Sequence, residues 1–165
     1  MVKGYKDIVS TYFKENSFVD ANIKSFNDFL NKGLQTIVDD VGSIVPTIIP
    51  QEYENFKINL GKIKVGMPSV VEADGSKRPV YPVEARLRQL TYSAPIYLNV
   101  SAHINDIQRE SFTSQICKVP VILKSDYCYL NNLKREELSK HGEDPNDFGG
   151  YFILNGKPFC QITIL

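Results

Sequence analysis

The sequence predicts an α+β fold in which N-terminal helices pack on a mainly antiparallel sheet. Two observations carry that prediction. Apolar residues recur every three or four positions through residues 1–45, and from Glu52 onward the period drops to two. Helical sequence therefore precedes strand sequence instead of alternating with it, and segregated elements build α+β layers.

Val19, Ile23, Phe26, Leu30, Leu34, Ile37 and Val41 form one helical stripe, with Asp20, Lys24, Asp28, Lys32 and Asp39 lying off it. Ser17 is placed to cap this helix. Gly42 is placed to end it, and Pro46 and Pro50 forbid continuation. A shorter helix before it would use Tyr5, Ile8, Val9, Tyr12 and Phe13. Packing of helix on helix is the simplest use of both stripes.

Phe56, Ile58 and Leu60 alternate with Lys57 and Asn59, which reads as a strand. Asp74-Gly75, between Val70-Val71 and Val80, signals a hairpin. Glu84, Arg86 and Arg88 lie two apart, which puts them on one face of an extended segment. Ile96, Leu98, Val100, Ala102 and Ile104 alternate with Tyr97, Asn99, Ser101 and His103, a strand with one buried and one solvated face. Gln115 to Lys124 reads as a further strand, in which Pro120 marks an edge or a start. A short helix is expected near 134–140, stopped by Gly142, and Gly149-Gly150 opens a last strand from Tyr151 to Leu154. The chain thus reads as a single domain, helical over 1–45 and mainly stranded over 52–165.

Lys plus Arg and Asp plus Glu number 19 each, so the formal net charge is zero. A free-standing nucleic-acid binder carries a basic excess, so any DNA contact must be local or shared with neighbouring chains. No run of about 18 apolar residues is present, and no membrane span is expected. The N-terminus lacks the basic-then-apolar pattern of a secretion signal. Cys117, Cys128 and Cys160 are odd in number and widely spaced, which fits a reducing cytoplasm better than a disulfide framework.

No catalytic residue and no metal ligand is expected. Cys117 and Cys128 lack Cys-x-x-Cys spacing, and no histidine stands at a zinc-like interval. His103 and His141 have no nucleophile or carboxylate motif beside them. Glu143, Asp144 and Asp147 lack the oxygen spacing of a calcium loop, and a turn built on Asp144-Pro145 explains them better. Gly149-Gly150 has neither the Lys-Ser/Thr ending nor the following helix of a phosphate loop. Arg86 and Arg88 have two readings: ion pairs with Glu84 or with acids of the 72–74 turn, or contacts to phosphate or another subunit. Neutral overall charge favours the first. Lys124, beside Ser125, is the better surface candidate. The candidate nucleic-acid contacts are therefore Lys124, Arg86 and Arg88.

The segment Tyr81-Pro-Val-Glu-Ala-Arg-Leu-Arg-Gln-Leu-Thr-Tyr-Ser-Ala-Pro-Ile-Tyr-Leu98 resembles the Glu-Ala-Arg-Leu-Arg-Asn-Leu-Thr-Tyr-Ala-Ala-Pro block of the second-largest subunit of multisubunit DNA-dependent RNA polymerases. Four further blocks resemble the same family in the same order. They are Ser25-Phe-Asn-Asp-Phe29, Leu60-Gly-Lys-Ile-Lys-Val-Gly-Met-Pro68, Val119-Pro-Val-Ile-Leu-Lys-Ser-Asp-Tyr-Cys128 and Gly142-Glu-Asp-Pro-Asn-Asp-Phe-Gly-Gly-Tyr-Phe-Ile-Leu-Asn-Gly156. The Gly-Glu-Asp-Pro form is similar to the archaeal-type version of that second-largest subunit. After Gly156 the pattern departs: Lys157-Pro-Phe-Cys stands where the family continues with Thr/Ser-Glu-Arg/Lys-Val.

The resemblance implies the N-terminal protrusion region, an α+β part of the wall of the DNA cleft in transcription. The parent assembly is a nucleotidyltransferase that uses magnesium. This chain alone is expected to be non-catalytic and to hold no cofactor. Implied partners are the other polymerase subunits, the remainder of the second-largest subunit, and DNA in the assembled enzyme. Lys124 falls in a motif resembling a region near template DNA. As a fragment the chain would be prone to self-association, because Ile162 and Ile164 would lack their neighbours. The alternative is a free-standing binding module that docks on RNA polymerase or regulates it.

Overall fold

Asp20 turns the chain into its first long helix: its carboxylate accepts the Ser17 N–H at 2.8 Å, and Ser17 Oγ stands 3.5 Å from the Val19 N–H. The computed structural model of the chain describes residues 9–12, 17–47, 55–105 and 107–160; the expectations for Tyr5, Ile8, Phe13, Pro50, Glu52, Ile162 and Ile164 lie outside them. Residues 9–12 are helical. Helix α1 (Asp20–Asp28) runs through a π-helical turn at Phe29–Gly33 into α2 (Leu34–Val41). Gly42 ends it with φ +62°, its N–H donating to the Val38 carbonyl at 2.9 Å.

The π turn corrects the predicted stripe. A wider turn delays the helical phase by about one residue. Leu30 and Val38 are buried, while Ile37 and Val41, which a uniform period placed beside Leu30, are exposed.

The helix is followed by β1 (Ser43–Ile44), β2 (Phe56–Val65), β3 (Ser69–Val71), β4 (Lys77–Pro79), α3 (Pro82–Leu87), β5 (Ser93–Ile104), β6 (Ile107–Pro120), α4 (Arg135–Lys140), β7 (Phe152–Leu154) and β8 (Lys157–Phe159). Strands β1, β2, β5 and β6 form a four-stranded sheet in the order β1-β2-β5-β6, antiparallel throughout. The α+β class with a mainly antiparallel sheet is the one the sequence predicts. The expected hairpin joins β3 to β4 across Asp74-Gly75, and β7 turns into β8 across Asn155-Gly156. Register sets Leu60 opposite Val100 and Ile63 opposite Leu98, with a bulge between, so the apolar side chains of β2 and β5 share one face.

Strand β6 differs from its prediction at both ends. It begins at Ile107, because Gln108 to Ser114 pair as an edge through their backbone although they show no apolar alternation. It stops at Pro120, which has no N–H to continue a ladder. Lys124 therefore lies in a turn, at φ +65°, and closes no strand.

The described parts of the chain divide into two compact units. One comprises Met1–Asn27, Val80–Tyr92 and Val121–Leu165; the other comprises Asp28–Pro79 and Ser93–Pro120. The first holds α3, α4 and the β7–β8 hairpin, with Tyr92, Val121, Ile122, Leu123, Leu130, Leu138 and Ile153 buried. The second holds α2, the four-stranded sheet and the β3–β4 hairpin, with Leu30, Val38, Ala94, Ile96 and Leu98 buried.

Candidate functional site

The segment around Arg86 is a helix, not a strand. Tyr81 is extended, and Pro82 occupies the first helical turn, where its fixed φ suits the helix and its missing N–H costs nothing. Glu84 then sits in the first turn, close to the positive end of the helix dipole. These signals were present in the sequence and outweigh the two-residue spacing of charges. In a helix that spacing separates the charges: Arg88 lies one turn after Glu84 and pairs with it at 2.8 Å, while Arg86 points away from both.

Arg86 reaches the Gly142-Glu143 loop. Helix α4 is opened by Glu137, whose carboxylate accepts the Lys134 N–H at 2.8 Å, and the Glu143 N–H closes back onto the Leu138 carbonyl at 3.0 Å. That closure turns the Glu143 side chain inward, where it is only 3% exposed. Arg86 Nη1 donates to Glu143 Oε2 at 2.7 Å, and Nη2 donates to the Tyr151 hydroxyl at 2.9 Å. Tyr151 donates in turn to Asp147 Oδ2 at 2.5 Å. Asp147 Oδ1 accepts the Gly149 N–H at 2.8 Å, and Lys124 Nζ donates to the Asp147 carbonyl. The other Glu143 oxygen, Oε1, is buried without a hydrogen-bond partner among the described residues.

The loop that carries these groups is a turn of the expected kind. The Asp144 carbonyl accepts the Asp147 N–H at 3.1 Å, and Asp144 Oδ1 accepts the Asn146 N–H at 2.8 Å. Gly149 and Gly150 both have positive φ. A Cβ on Gly150 would stand 2.4 Å from Val19 Cβ, and one on Gly149 would stand 2.8 Å from the Leu123 carbonyl oxygen. Only glycine lets the backbone approach so closely, and the Gly150 N–H uses the approach to donate to the Leu123 carbonyl at 3.0 Å.

Protonation follows from these contacts. Burial works against the Arg86 charge, but the bonds to Glu143 and Tyr151 outweigh it and raise the pKa. Burial, together with donation to Asp147, pushes the Tyr151 hydroxyl up to about 12. Tyr92 is raised far more, chiefly by burial; its hydroxyl stands 3.6 Å from Cys128 Sγ and accepts the Tyr129 N–H at 3.2 Å. Burial also pushes the Cys128 thiol up, which makes it a poor nucleophile. Ser101 Oγ lies 3.2 Å from His103 Nε2, with no carboxylate bonded to that ring among the described residues. His141 stacks on Tyr81, with ring centroids 4.7 Å apart.

The three sequence-predicted contacts thus occupy different settings. Arg86 is held by Glu143 and Tyr151, Lys124 by the Asp147 carbonyl, and Arg88 stands on the exposed side of α3 against Glu84. Lys124 and Arg86 belong to one network and Arg88 does not. Sequence reading missed Glu143 and Tyr151 as the partners, because their separation from Arg86 along the chain gives no local signal.

The arrangement defines a class: an α+β scaffold whose charged groups close on one another across distant segments. The sequence pattern of the family described as RNA polymerase beta subunit matches residues 17–158, and the chain belongs to that family. It is 46% identical over 162 residues to DNA-directed RNA polymerase subunit Rpo2N of Methanocaldococcus jannaschii, covering 96% of this chain and 32% of that protein. It is 42% identical over 156 residues to subunit Rpo2 of Saccharolobus solfataricus, covering 94% of this chain and 13% of the relative. Identity to DNA-directed RNA polymerase II subunit 2 of Arabidopsis thaliana is 36%, over 90% of this chain and 14% of the relative. The chain thus spans a third or less of these relatives, and it corresponds to an N-terminal part of the second-largest polymerase subunit.

Proposed function

We propose that this chain serves transcription as a structural part of the DNA cleft of a cytoplasmic, archaeal-type RNA polymerase, in contact with the other subunits and the remainder of the second-largest subunit. The observation that supports this most is the convergence of separated motifs. The blocks at 81–98, 119–128 and 142–156, which carry the family resemblance, meet through Arg86, Lys124, Glu143, Asp147 and Tyr151. Such a network fixes backbone and leaves the chemistry to other parts of the assembly. Magnesium-dependent nucleotide transfer belongs, on this reading, to the assembled enzyme. Reconstitution with the remaining subunits of an archaeal polymerase tests it. The chain should enter the complex and be required for RNA synthesis, while the chain alone incorporates no nucleotide. Failure to assemble, or full synthesis without the chain, would overturn the reading.

A further inference from the structure

The sheet of the second unit has a polar side on which the cations are segregated. Register defines that side. Leu60 and Ile63 share the apolar side with Val100 and Leu98, so Lys57 and Lys64 of β2 project from the other, and Lys62 falls between them in the bulge, next to Ile63. Lys57 is paired with His103 and Lys64 with Tyr97. Lys118 of β6 is paired with Pro95, on the same side as Tyr97. Lys77 arrives from β4, its Nζ donating to the Tyr97 hydroxyl at 2.6 Å.

Acidic groups are absent from the strand positions of this side among the described residues. Glu110 is paired with Ala102 on the apolar side. Glu72 is held by Arg78 at 2.7 Å, and Asp74 is bonded to Ser76 at the hairpin tip. None of Lys57, Lys62, Lys64 and Lys118 has an ion-pair partner among the described residues. Like charges on neighbouring strands repel. In a chain with zero net charge this clustering leaves a local cationic surface for which nothing within the described residues compensates.

We propose that this face binds the phosphate backbone of a nucleic acid duplex. The proposal deepens the polymerase reading and rests on it for the presence of nucleic acid. From Lys57 to Lys64 the strand covers about 23 Å, about seven steps of the 3.4 Å rise of a nucleic acid strand. Between the lysines, Asn99 Nδ2 stands 3.4 Å from both Ser111 Oγ and Thr113 Oγ1. Such short hydroxyl and amide side chains contact phosphate without reading sequence. Tyr97 and His103 carry the two aromatic rings among the described strand positions on this side; Tyr97 already lies against Lys77, 5.4 Å from the ring centroid, and His103 Nε2 stands 3.2 Å from Ser101 Oγ. A base-stacking platform needs several free rings, so backbone contact fits better than single-strand binding.

Fluorescence anisotropy of a labelled duplex of about 20 base pairs, titrated with the full chain from about 50 mM salt upward, reads the proposal. Binding should be weak at physiological salt, about 10⁻⁴ M or poorer, with a logarithmic salt slope of about −4. The variant K57E/K64E/K118E should lose tenfold or more at low salt, with a slope flatter by about 3. The variant K24E/K32E/K140E, with the same charge change off this face, should bind like the parent. If the first variant does not fold by circular dichroism, Lys118→Glu alone at the sheet edge should flatten the slope by about 1. Equal loss in both triple variants, no loss in the first, or polyglutamate binding as tightly as the duplex would overturn the proposal, the last in favour of an acidic protein partner. A chain that assembles in the reconstitution yet shows no face-dependent binding overturns this proposal alone. A chain that binds through this face yet fails to assemble overturns only the polymerase reading.

Discussion

The two units hold their shape by different means. Apart from α1, all but the last residue of which lies in it, the first has little regular structure: its helices α3 and α4 are six residues each and its strands β7 and β8 three. It nevertheless contains most of the buried side chains, together with the network that joins Arg86, Glu143, Tyr151, Asp147 and Lys124. The second has strands of 10, 12 and 14 residues, and the longest is exposed from Ile107 to Lys118 wherever it is described. One unit is specified by side chains that must find particular partners. The other is specified largely by backbone ladders, which tolerate many side chains on an exposed strand. Substitutions should therefore be costly in the first unit and cheap on the outer strand of the second.

The largest effect is expected at Gly150→Ala. A methyl 2.4 Å from Val19 Cβ at a positive φ combines overpacking with backbone strain, and about 4 kcal/mol of stability should be lost in a urea melt. Ile153→Ala comes next. Ile153 is fully buried, and removing its outer carbons should cost about 3 kcal/mol by the same measurement.

A pH-dependent effect of intermediate size belongs to Tyr151. Its folded pKa is pushed up to about 12 from an ordinary value of 10.0, so the folded state keeps this proton where the unfolded chain releases it. The stabilisation is fully present below pH 10 and is lost as pH rises toward 12. Tyr151→Phe should remove this contribution to the alkaline decline and, at neutral pH, cost about 1 kcal/mol for the lost hydrogen bonds. The smallest effect is expected at Phe112→Ser on β6. Phe112 is 54% exposed, and the change should stay within about 0.5 kcal/mol. A loss of several kcal/mol there would mean that the outer strand depends on its side chains as the first unit does.

Legibility in the sequence divides along the same line. The long strand β5, the β3–β4 hairpin, the helix near 134–140 and the glycine at the end of α2 all carry local signals, and all are present. The π turn was not legible, because no residue in Phe29–Gly33 announces an extra residue per turn, and Val38 therefore exchanged places with Ile37 and Val41. Helix α3 was misread because alternation of charge mimics a strand over so short a run, although Pro82 marked a helix start. The partners of Arg86 lie 57 and 65 residues away, and no periodicity reports such a pairing. Family resemblance identified the segments that meet but not the bonds between them.

The Arg86–Glu143 contact is the link on which the account of the first unit depends, and a double-mutant cycle in urea tests it most directly. Arg86→Ala should cost about 3 kcal/mol, because it leaves a buried carboxylate without its cation. Glu143→Ala should cost a similar amount, and the double variant much less than the sum, giving a coupling of about 2 kcal/mol. Additive losses, with coupling below about 0.5 kcal/mol, would mean that the two side chains act independently and that the network does not hold the unit together.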